Sequence, residues 1–442
     1  MRYRELDHYV EWLQAFPRQA VAEYLSLKRV ELLLRLLGSP ERRLKGFQVA
    51  GTNGKGSTVM LLEAGLRGAG YRVGAFLSPH LVSYTERFRI NGREVSQTRL
   101  AELVTRVSQK VGEAERRIHD RPTWFEVLTA VAALYFAEEK VDWAVFEVGL
   151  GGRLDATTAL GLRYKVITDI GRDHAHILGS TIKKIAGEKA GIIQARSVVI
   201  SSNSGMAQKM IRSRCLQVGA RLIPFPRTQH LNVSLEGTSF RIDDESRRYQ
   251  AFIPLVGRQQ PRNAALAFGM LREIAQIPAE AILRSFRAVQ FPGRFTIVPR
   301  SPLTVLDGAH NLPAIARLIR TLDDLRVNNK RLIIIYAAKE RKEYRPIIRR
   351  LATRCRLIIF PETHLHGMVD PKILRRIHTA AYVTSSIAAA LKKAKTAAGK
   401  NDMILVTGSL YLVGAVLRQM KHMRSATVDK IDDNRVELLS PR

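Results

Sequence analysis

The chain is short of cysteine, of acidic charge and of long apolar runs. Two cysteines in 442 residues, Cys215 and Cys355, cannot build a disulfide framework, and their separation fits no metal-ligand spacing. Buried or inert thiols in a reducing cytosol are expected. No stretch of about 18 apolar residues occurs, so no transmembrane helix and no membrane partner are expected. The opening "MRYRELDHYVEWLQAF" is amphipathic and mixed in charge, without the apolar centre of a secretory signal, which points to the cytoplasm. Acidic residues number 40 against 71 lysines and arginines, a formal net charge of +31. That excess suits nucleic-acid binding or the steering of anionic ligands. It is spread along the chain, with no basic tail, zinc finger or RNA-binding signature, so nucleic acid is not an expected partner.

What the chain does have is core and rhythm. Apolar residues make up 46 %, ample for globular cores, and the length suggests about two or three domains. "FQVAGTN" (47–53) is a strand-like run entering a turn, and "KGSTVMLLEAGLRGAG" follows with helical spacing. "YRVGAFLSPH", "VDWAVFEVGLGG" and "KVITDIG" repeat the strand-then-loop device, and "TWFEVLTAVAALYFAEEK" (123–140) reads as a long helix. Alternation of this kind predicts a mostly parallel α/β sheet, which places ligands at the carboxyl ends of its strands. The stretch 225–258 reads instead as short antiparallel strands packed beside that sheet. Pro and Gly cluster over 289–303, after which "LTVLDGAHN", "RLIIIYAAK", "RLIIFPE" and "MILVTGSL" resume the rhythm. The expected division is a larger α/β domain over 1–296, a smaller Rossmann-like α/β domain over 297–425 and a polar tail over 426–442.

The stretch "GTNGKGST" (51–58) lies between a strand and a helix, as a phosphate-binding loop should. Gly51, Gly54 and Gly56 would let backbone N–H groups approach a phosphate at a helix N-terminus. Lys55 would reach the outer phosphates, and Ser57 would support the phosphates or a metal shell. The loop is unusual in that Gly56, not Ser or Thr, follows the lysine. Three further strand ends carry Ser78 ("LSPH"), Glu147 ("EVGLGG") and His174 ("DHAH"). A hydroxyl, a carboxylate and an imidazole placed there are a candidate divalent-metal set beside a triphosphate. A loop histidine and a turn carboxylate with purely structural tasks would look the same residue by residue.

"VAGTNGKGST", "LSPHLVSYTERFRING", "TWFEVLTAVAALYF", "EVGLGGRLDATT", "DHAHILGSTIKKIAGEKAGII", "PGRF", "LDGAHNLPA" and "LVTGSLYLVG" occur in that order. Together they resemble the folylpolyglutamate synthase/dihydrofolate synthase branch of the Mur ligase superfamily. The resemblance implies a P-loop domain of Mur ligase type followed by the smaller α/β domain. It implies an enzyme that uses ATP and Mg2+ to phosphorylate a carboxylate and lets the amino group of L-glutamate displace the phosphate. Its acceptors would be dihydropteroate and reduced folates, and the protein a monomer.

By that resemblance Thr52, Asn53, Gly54, Lys55, Gly56 and Ser57 hold the triphosphate, and Ser78, Glu147 and His174 hold magnesium. Lys189 in "GEKAGI" matches the family's carbamylated lysine, with Lys55, Lys189 and His174 as the catalytic set. Asn263, Arg294 and Asp307 match ATP contacts, and Arg294 and Asp307 flank the expected boundary. His310 and Ser409 are candidates for the nucleotide or glutamate side. Thr123, Trp124, Phe125 and Glu126, with Leu154, Asp155 and Ala156, match segments lining the pterin site. Trp124 and Phe125 can stack on a flat heterocycle or pack a helix start. Glu23, Tyr24 and Leu25 align with a further pterin segment, Tyr24 standing where an aspartate is usual. Thr158 replaces a usual Asn, Gln259 a common His and Thr296 a frequent Glu. The alternatives are a folylpolyglutamate synthase lacking the first activity, a superfamily ligase for other acceptors, and a basic nucleic-acid-binding protein on an ATPase-like fold.

Overall fold

The computed structural model describes residues 10–13, 16, 26–244, 247–275, 277–298 and 301–420. Glu23, Tyr24 and Leu25 and the tail over 426–442 lie outside the described residues. The chain divides into two compact units: Met1–His80 with Tyr84–Phe291, and Leu81–Ser83 with Pro292–Arg442. The division comes earlier than 296 because the turn after Phe291 is tied into the second unit. Gly308 N donates to Gly293 O at 2.9 Å, and Phe295 N to Asp307 Oδ2 at 2.9 Å.

The first unit is built on an eight-stranded sheet. Its strands are β1 (Gly46–Ala50), β2 (Val73–Phe76), β3 (Phe88–Ile90), β4 (Arg93–Glu94), β5 (Trp143–Glu147), β6 (Tyr164–Ile167), β7 (Val198–Ser201) and β8 (Arg221–Leu222), in the order β4-β3-β2-β5-β1-β6-β7-β8. Six run parallel; β3 and β4 form the antiparallel edge. Both faces are covered, so β1 and β5 are buried at every position and do not alternate. Strands β9 (Arg227–Val233), β10 (Thr238–Asp244) and β11 (Arg247–Ile253) form a separate antiparallel sheet, ordered β11-β10-β9. Phe240, Ile242, Ala251 and Ile253 of this small sheet join the same core as β1.

Four helices place the site. Helix α1 is Lys28–Leu36, α2 is Lys55–Gly68, α3 is Gln97–Ile118 and α4 is Trp124–Glu138. Helix α4 starts at a capping box: Thr123 Oγ1 accepts from Glu126 N, and Glu126 Oε2 accepts from Thr123 N at 2.7 Å. Positions 126 to 137 of it are all buried, as its nearly unbroken apolar sequence requires.

Several strand residues break the apolar rule, Gln48 and Glu147 among them, and one of them is a lysine. Lys165, in the middle of β6, is fully buried, and desolvation lowers its amine from the usual lysine range to about 7. The unfolded chain therefore holds more protons than the folded one between pH 7 and the ordinary lysine value. Across that window this amine makes stability rise with pH, by up to about 1.4 kcal/mol per pH unit, and below it the penalty is constant. Replacing Lys165 with Met should flatten that rise. Urea unfolding of both proteins at about pH 7 and about pH 9 measures the difference in slope; parallel curves would show that Lys165 stays protonated in the fold.

The second unit is a six-stranded sheet, ordered β12-β13-β17-β14-β15-β16. Its strands are β12 (Thr296–Val298), β13 (Leu303–Leu306), β14 (Leu332–Tyr336), β15 (Leu357–Pro361), β16 (Tyr382–Thr384) and β17 (Met403–Thr407). All but the edge strand β12 run parallel. Its core sets Ile333, Ile335, Ile404 and Val406 against Ala390, Leu391 and Ala394. Cys215 and Cys355 are unpaired, and burial pushes their thiols up to about 11 and about 12. Among the described residues no helix is long and apolar enough to cross a membrane.

Candidate functional site

The chain leaves β1 at Ala50 and turns through residues 51–54 into α2. Gly54, immediately before α2, has φ 91°, and a Cβ there would meet Asn263 Oδ1 at 2.3 Å. Asn263 is thus packed directly on the loop. The odd glycine after the lysine is explained by crowding: a Cβ on Gly56 would lie 2.7 Å from the Phe291 ring and 3.4 Å from Glu147 Oε2. The turn is held by its neighbour strand. Thr52 N donates to Asp169 O at 2.8 Å, and the Thr52 hydroxyl exchanges 3.0 Å bonds with Gly171 N and Gly171 O. Thr58 Oγ1 donates back to Gly54 O at 2.9 Å, adding a side-chain bond to the first turn of α2. Ser57 is buried in that turn.

Glu147 ends β5, next to β1. Its Oε1 lies 4.0 Å from Lys55 Nζ, and its Oε2 accepts from Ser78 N at 2.9 Å beyond the end of β2. Lys55, Ser78 and Glu147 are therefore brought together at three adjacent strand ends. Both charged side chains are largely withdrawn from water, which strengthens whatever field they set up. His174 lies beyond β6 in the left-handed region at φ 50°, its N–H donating to Asp173 Oδ1 at 2.9 Å.

Helix α5 (Ile182–Ala190) brings in Lys189. Its side chain is buried, and its Nζ donates to Gly51 O at 2.8 Å, directly beneath the loop. Desolvation, then repulsion from Lys55, lowers this amine to about 7, against the opposing pull of Asp173 and Asp155. Sequence spacing alone reads Lys189 as a solvated helix position; burial is what makes it chemically distinct. Asp173 escaped the sequence reading altogether. Its signal was its place beside His174 in "RDHAH".

The other predicted residues fall into two groups. In the first unit, Glu126 takes two bonds from Arg29 Nε (3.2 and 3.0 Å) and one from Arg29 Nη2 (3.0 Å), besides its capping bond. Trp124 lies under the Arg87 guanidinium at 4.6 Å, and the Phe125 ring centre is 5.7 Å from that of Phe76. Asp155 is fully buried. Burial pushes its carboxyl up, against donors from Gly149 N, Leu150 N, Thr157 N and Thr157 Oγ1. Leu154 and Ala156 flank it in the same loop. In the second unit, Asp307 accepts from Phe295 N and Ala309 N, and burial raises its carboxyl while Arg294 pulls it down. A Cβ on Gly308 would lie 3.0 Å from Arg294 Nη1, so that guanidinium lies against the same turn. His310 Nδ1 donates to Gly308 O at 2.8 Å, and the Ser409 hydroxyl accepts from Tyr411 N at 3.2 Å.

Taken alone, the first unit is a nucleotide-binding α/β module with a P-loop, a carboxylate and a buried amine around it. The comparisons narrow that class. The Mur ligase middle domain model matches residues 49–271, and the model of the Mur ligase glutamate ligase domain matches 293–410. The dihydrofolate synthase/folylpolyglutamate synthase of Bacillus subtilis is 34% identical over 414 residues, covering 89% of this chain and 95% of that protein. Mycobacterium tuberculosis folylpolyglutamate synthase, solved with ADP and AMPPCP, superposes with a TM-score of 0.86 at 26% identity, covering 93% of this chain and 97% of that one. The bifunctional enzyme of Yersinia pestis, solved with AMPPNP and a Mn ion, gives 0.82 at 29%, covering 94% and 98%. The chain belongs to the Mur ligase family, in its dihydrofolate synthase/folylpolyglutamate synthase branch.

The residues present fit a Mg2+-nucleotide. The crowded glycines leave a backbone cradle at the N-terminus of α2. Glu147 and Ser78 meet with oxygen donors of the kind Mg2+ takes, while the imidazole of His174 is a softer donor.

Proposed function

We propose that this chain is an ATP- and Mg2+-dependent ligase that joins L-glutamate to 7,8-dihydropteroate, giving dihydrofolate, and to reduced folates, extending their glutamate tails. The observation that carries the reading is the meeting of Lys55, Glu147 and Ser78 at adjacent strand ends, with Lys189 under Gly51, in a chain of this family. A carboxylate resists amine attack because its leaving group would be oxide. Its oxygen instead attacks the γ-phosphorus, ADP departs, and the acyl phosphate offers phosphate as leaving group. The glutamate nitrogen then adds to the acyl carbon, loses a proton, and expels phosphate as the amide forms.

Lys55 and the N–H groups at the start of α2 stabilise charge moving onto the β-phosphate. Magnesium, when bound, supplies Lewis acidity and charge neutralisation at the phosphates. Thr52, Asn53, Gly54, Gly56, Ser57 and Asn263 would line the nucleotide side; Arg294 and Asp307 are assigned as further ATP contacts, and His310 and Ser409 to the nucleotide or glutamate side. Thr123, Trp124, Phe125, Glu126, Leu154, Asp155 and Ala156 would frame the pterin. A neutral Lys189 is nucleophilic: its nitrogen can add to CO2 and release a proton, leaving a carbamate anion fit for a metal shell. The same reading places the protein in the cytoplasm as a monomer.

A coupled assay of ADP release tests it. Turnover that needs glutamate together with dihydropteroate, and separately with tetrahydrofolate, is expected. Turnover with the folate alone would reduce the activity to polyglutamylation, and none with either acceptor would overturn the proposal. Replacing Glu147 with Gln keeps an acceptor for Ser78 N but removes the charge; kcat should fall about 100-fold and the Mg2+ requirement should rise. A Mg2+ titration of kcat measures this, and an unchanged titration would take Glu147 out of the metal shell.

A further inference from the structure

We propose that Lys165 is a positioning residue for the ligase site: its buried amine fixes the amide of Gln48, which through Thr157 and Thr158 anchors the loop following Glu147. The inference rests on the ligase reading above. Lys165 and Gln48 are direct partners across β6 and β1, so their side chains share one face of the sheet. Both are fully buried. Lys165 Nζ donates to Gln48 Oε1 at 2.8 Å and to Gln194 Oε1 at 3.4 Å, two neutral amides. An amine in the interior without a bonded carboxylate is costly, and nothing in β6 as a strand requires it.

What the amine does is set a direction. As an ammonium it is a donor only and takes the carbonyl of Gln48, and as a neutral amine it keeps two N–H donors for that same carbonyl. The amide nitrogen then points the other way and uses its two protons on Thr157 Oγ1 (2.9 Å) and Thr158 Oγ1 (2.7 Å). Each hydroxyl, having accepted, has one proton to pass on. Thr157 donates to Asp155 Oδ1 at 2.6 Å, and Thr158 to Gly152 O at 2.8 Å. Asp155 Oδ2 in turn receives Gly149 N at 3.0 Å and Leu150 N at 2.9 Å. The donors run outward from Lys165 through Gln48 and the two hydroxyls as far as Asp155 and Gly152, and the second oxygen of Asp155 then accepts from the glycine loop directly after Glu147. Were the Gln48 amide reversed, both hydroxyls would be drawn back toward its carbonyl, and Asp155 and Gly152 would lose their hydroxyl donors. The same loop reaches the Lys189 helix, where Arg153 N donates to Glu188 O at 2.8 Å. The relay therefore runs through Gln48 of the P-loop strand and sets the loop that ties Glu147 to the helix of Lys189.

Lys165→Met keeps the volume and removes the donors. It should lower kcat about tenfold and shift the Mg2+ dependence upward, while the KM for glutamate stays at the wild-type value. Thr157→Val breaks the next link and should do the same; Thr157→Ser, which keeps the hydroxyl, should recover most of the loss. Because the residues act as one chain, the Lys165→Met/Thr157→Val double variant should be no worse than either single. Lys165→Met with a lowered Tm but wild-type kcat and Mg2+ dependence would overturn the proposal, as would single losses that multiply in the double. Should Lys165→Met fail to fold, the Thr157 pair carries the test. Binding of Mg2+-AMPPNP by calorimetry is read in parallel, with a weaker Kd expected in Lys165→Met and Thr157→Val and an unchanged Kd counting against the relay. A wild type that releases no ADP with any pteroyl acceptor would sink the ligase reading, while the calorimetry still judges the relay.

Discussion

Lys55→Ala should lower kcat about 1,000-fold while leaving the thermal unfolding midpoint close to that of the wild type. Lys55 opens α2, and its Nζ lies at the tip of β5, 4.0 Å from Glu147 Oε1. The N–H groups of the helix start survive the substitution, so nucleotide still docks; what disappears is the charge that follows electron density onto the leaving phosphate. The loss should therefore appear mainly in kcat, with a smaller change in the KM for ATP. Lys55→Arg should not restore activity, because a planar fork cannot replace a compact ammonium under a loop this crowded. Lys55 also helps hold the Lys189 amine down, so Lys55→Ala should raise that pKa, a direction readable by NMR of the labelled amine. Near wild-type turnover in Lys55→Ala would remove this lysine from the chemistry.

Arg29→Met should destabilise the first unit by about 3–5 kcal/mol. Arg29 extends from α1 with its side chain only 3 % exposed, and binds Glu126 through Nε and Nη2 and Asp120 through Nη1 at 2.6 Å. Removing it leaves the Glu126 carboxylate, which also caps α4, buried without its counter-charge. Asp120→Asn is the contrast: that carboxylate is about half exposed, and its loss should cost about 1 kcal/mol or less. Urea unfolding of the two variants measures the difference. Equal, small effects would mean that Glu126 gains water or a proton when Arg29 leaves. Because Trp124 and Phe125 open the helix that this pair anchors, Arg29→Met should also raise the KM for dihydropteroate more than that for ATP.

The strand–loop–helix order around Lys55 was legible because its demands are local. A turn at φ 91° calls for Gly54 wherever the rest of the chain goes, and the fully buried runs of β1 and β5 show as mainly apolar stretches, interrupted by Gln48 and closed by Glu147. The small antiparallel sheet was visible in the same way, from period-two segments and turn residues between 225 and 258. Ser78 and Glu147 were readable as strand-end residues, yet the bond between them depends on β2 and β5 being neighbours in the sheet, which no local pattern states. Asp155 looked like one residue of a binding segment; in the fold its two oxygens hold four donors of its own loop.

The lysines draw the line between the two kinds of information. The sequence by itself determined the repeating strand–helix order, the phosphate-binding turn and the residue types gathered at its strand ends, since periodicity and backbone conformation are set by residues close together in the chain. Only the tertiary structure decided that Lys189 and Lys165 are buried amines near neutrality while Lys55 keeps a share of solvent. The physical reason is that a lysine's charge state is set by everything within several ångströms of it, and those atoms come from strands and loops more than a hundred residues away.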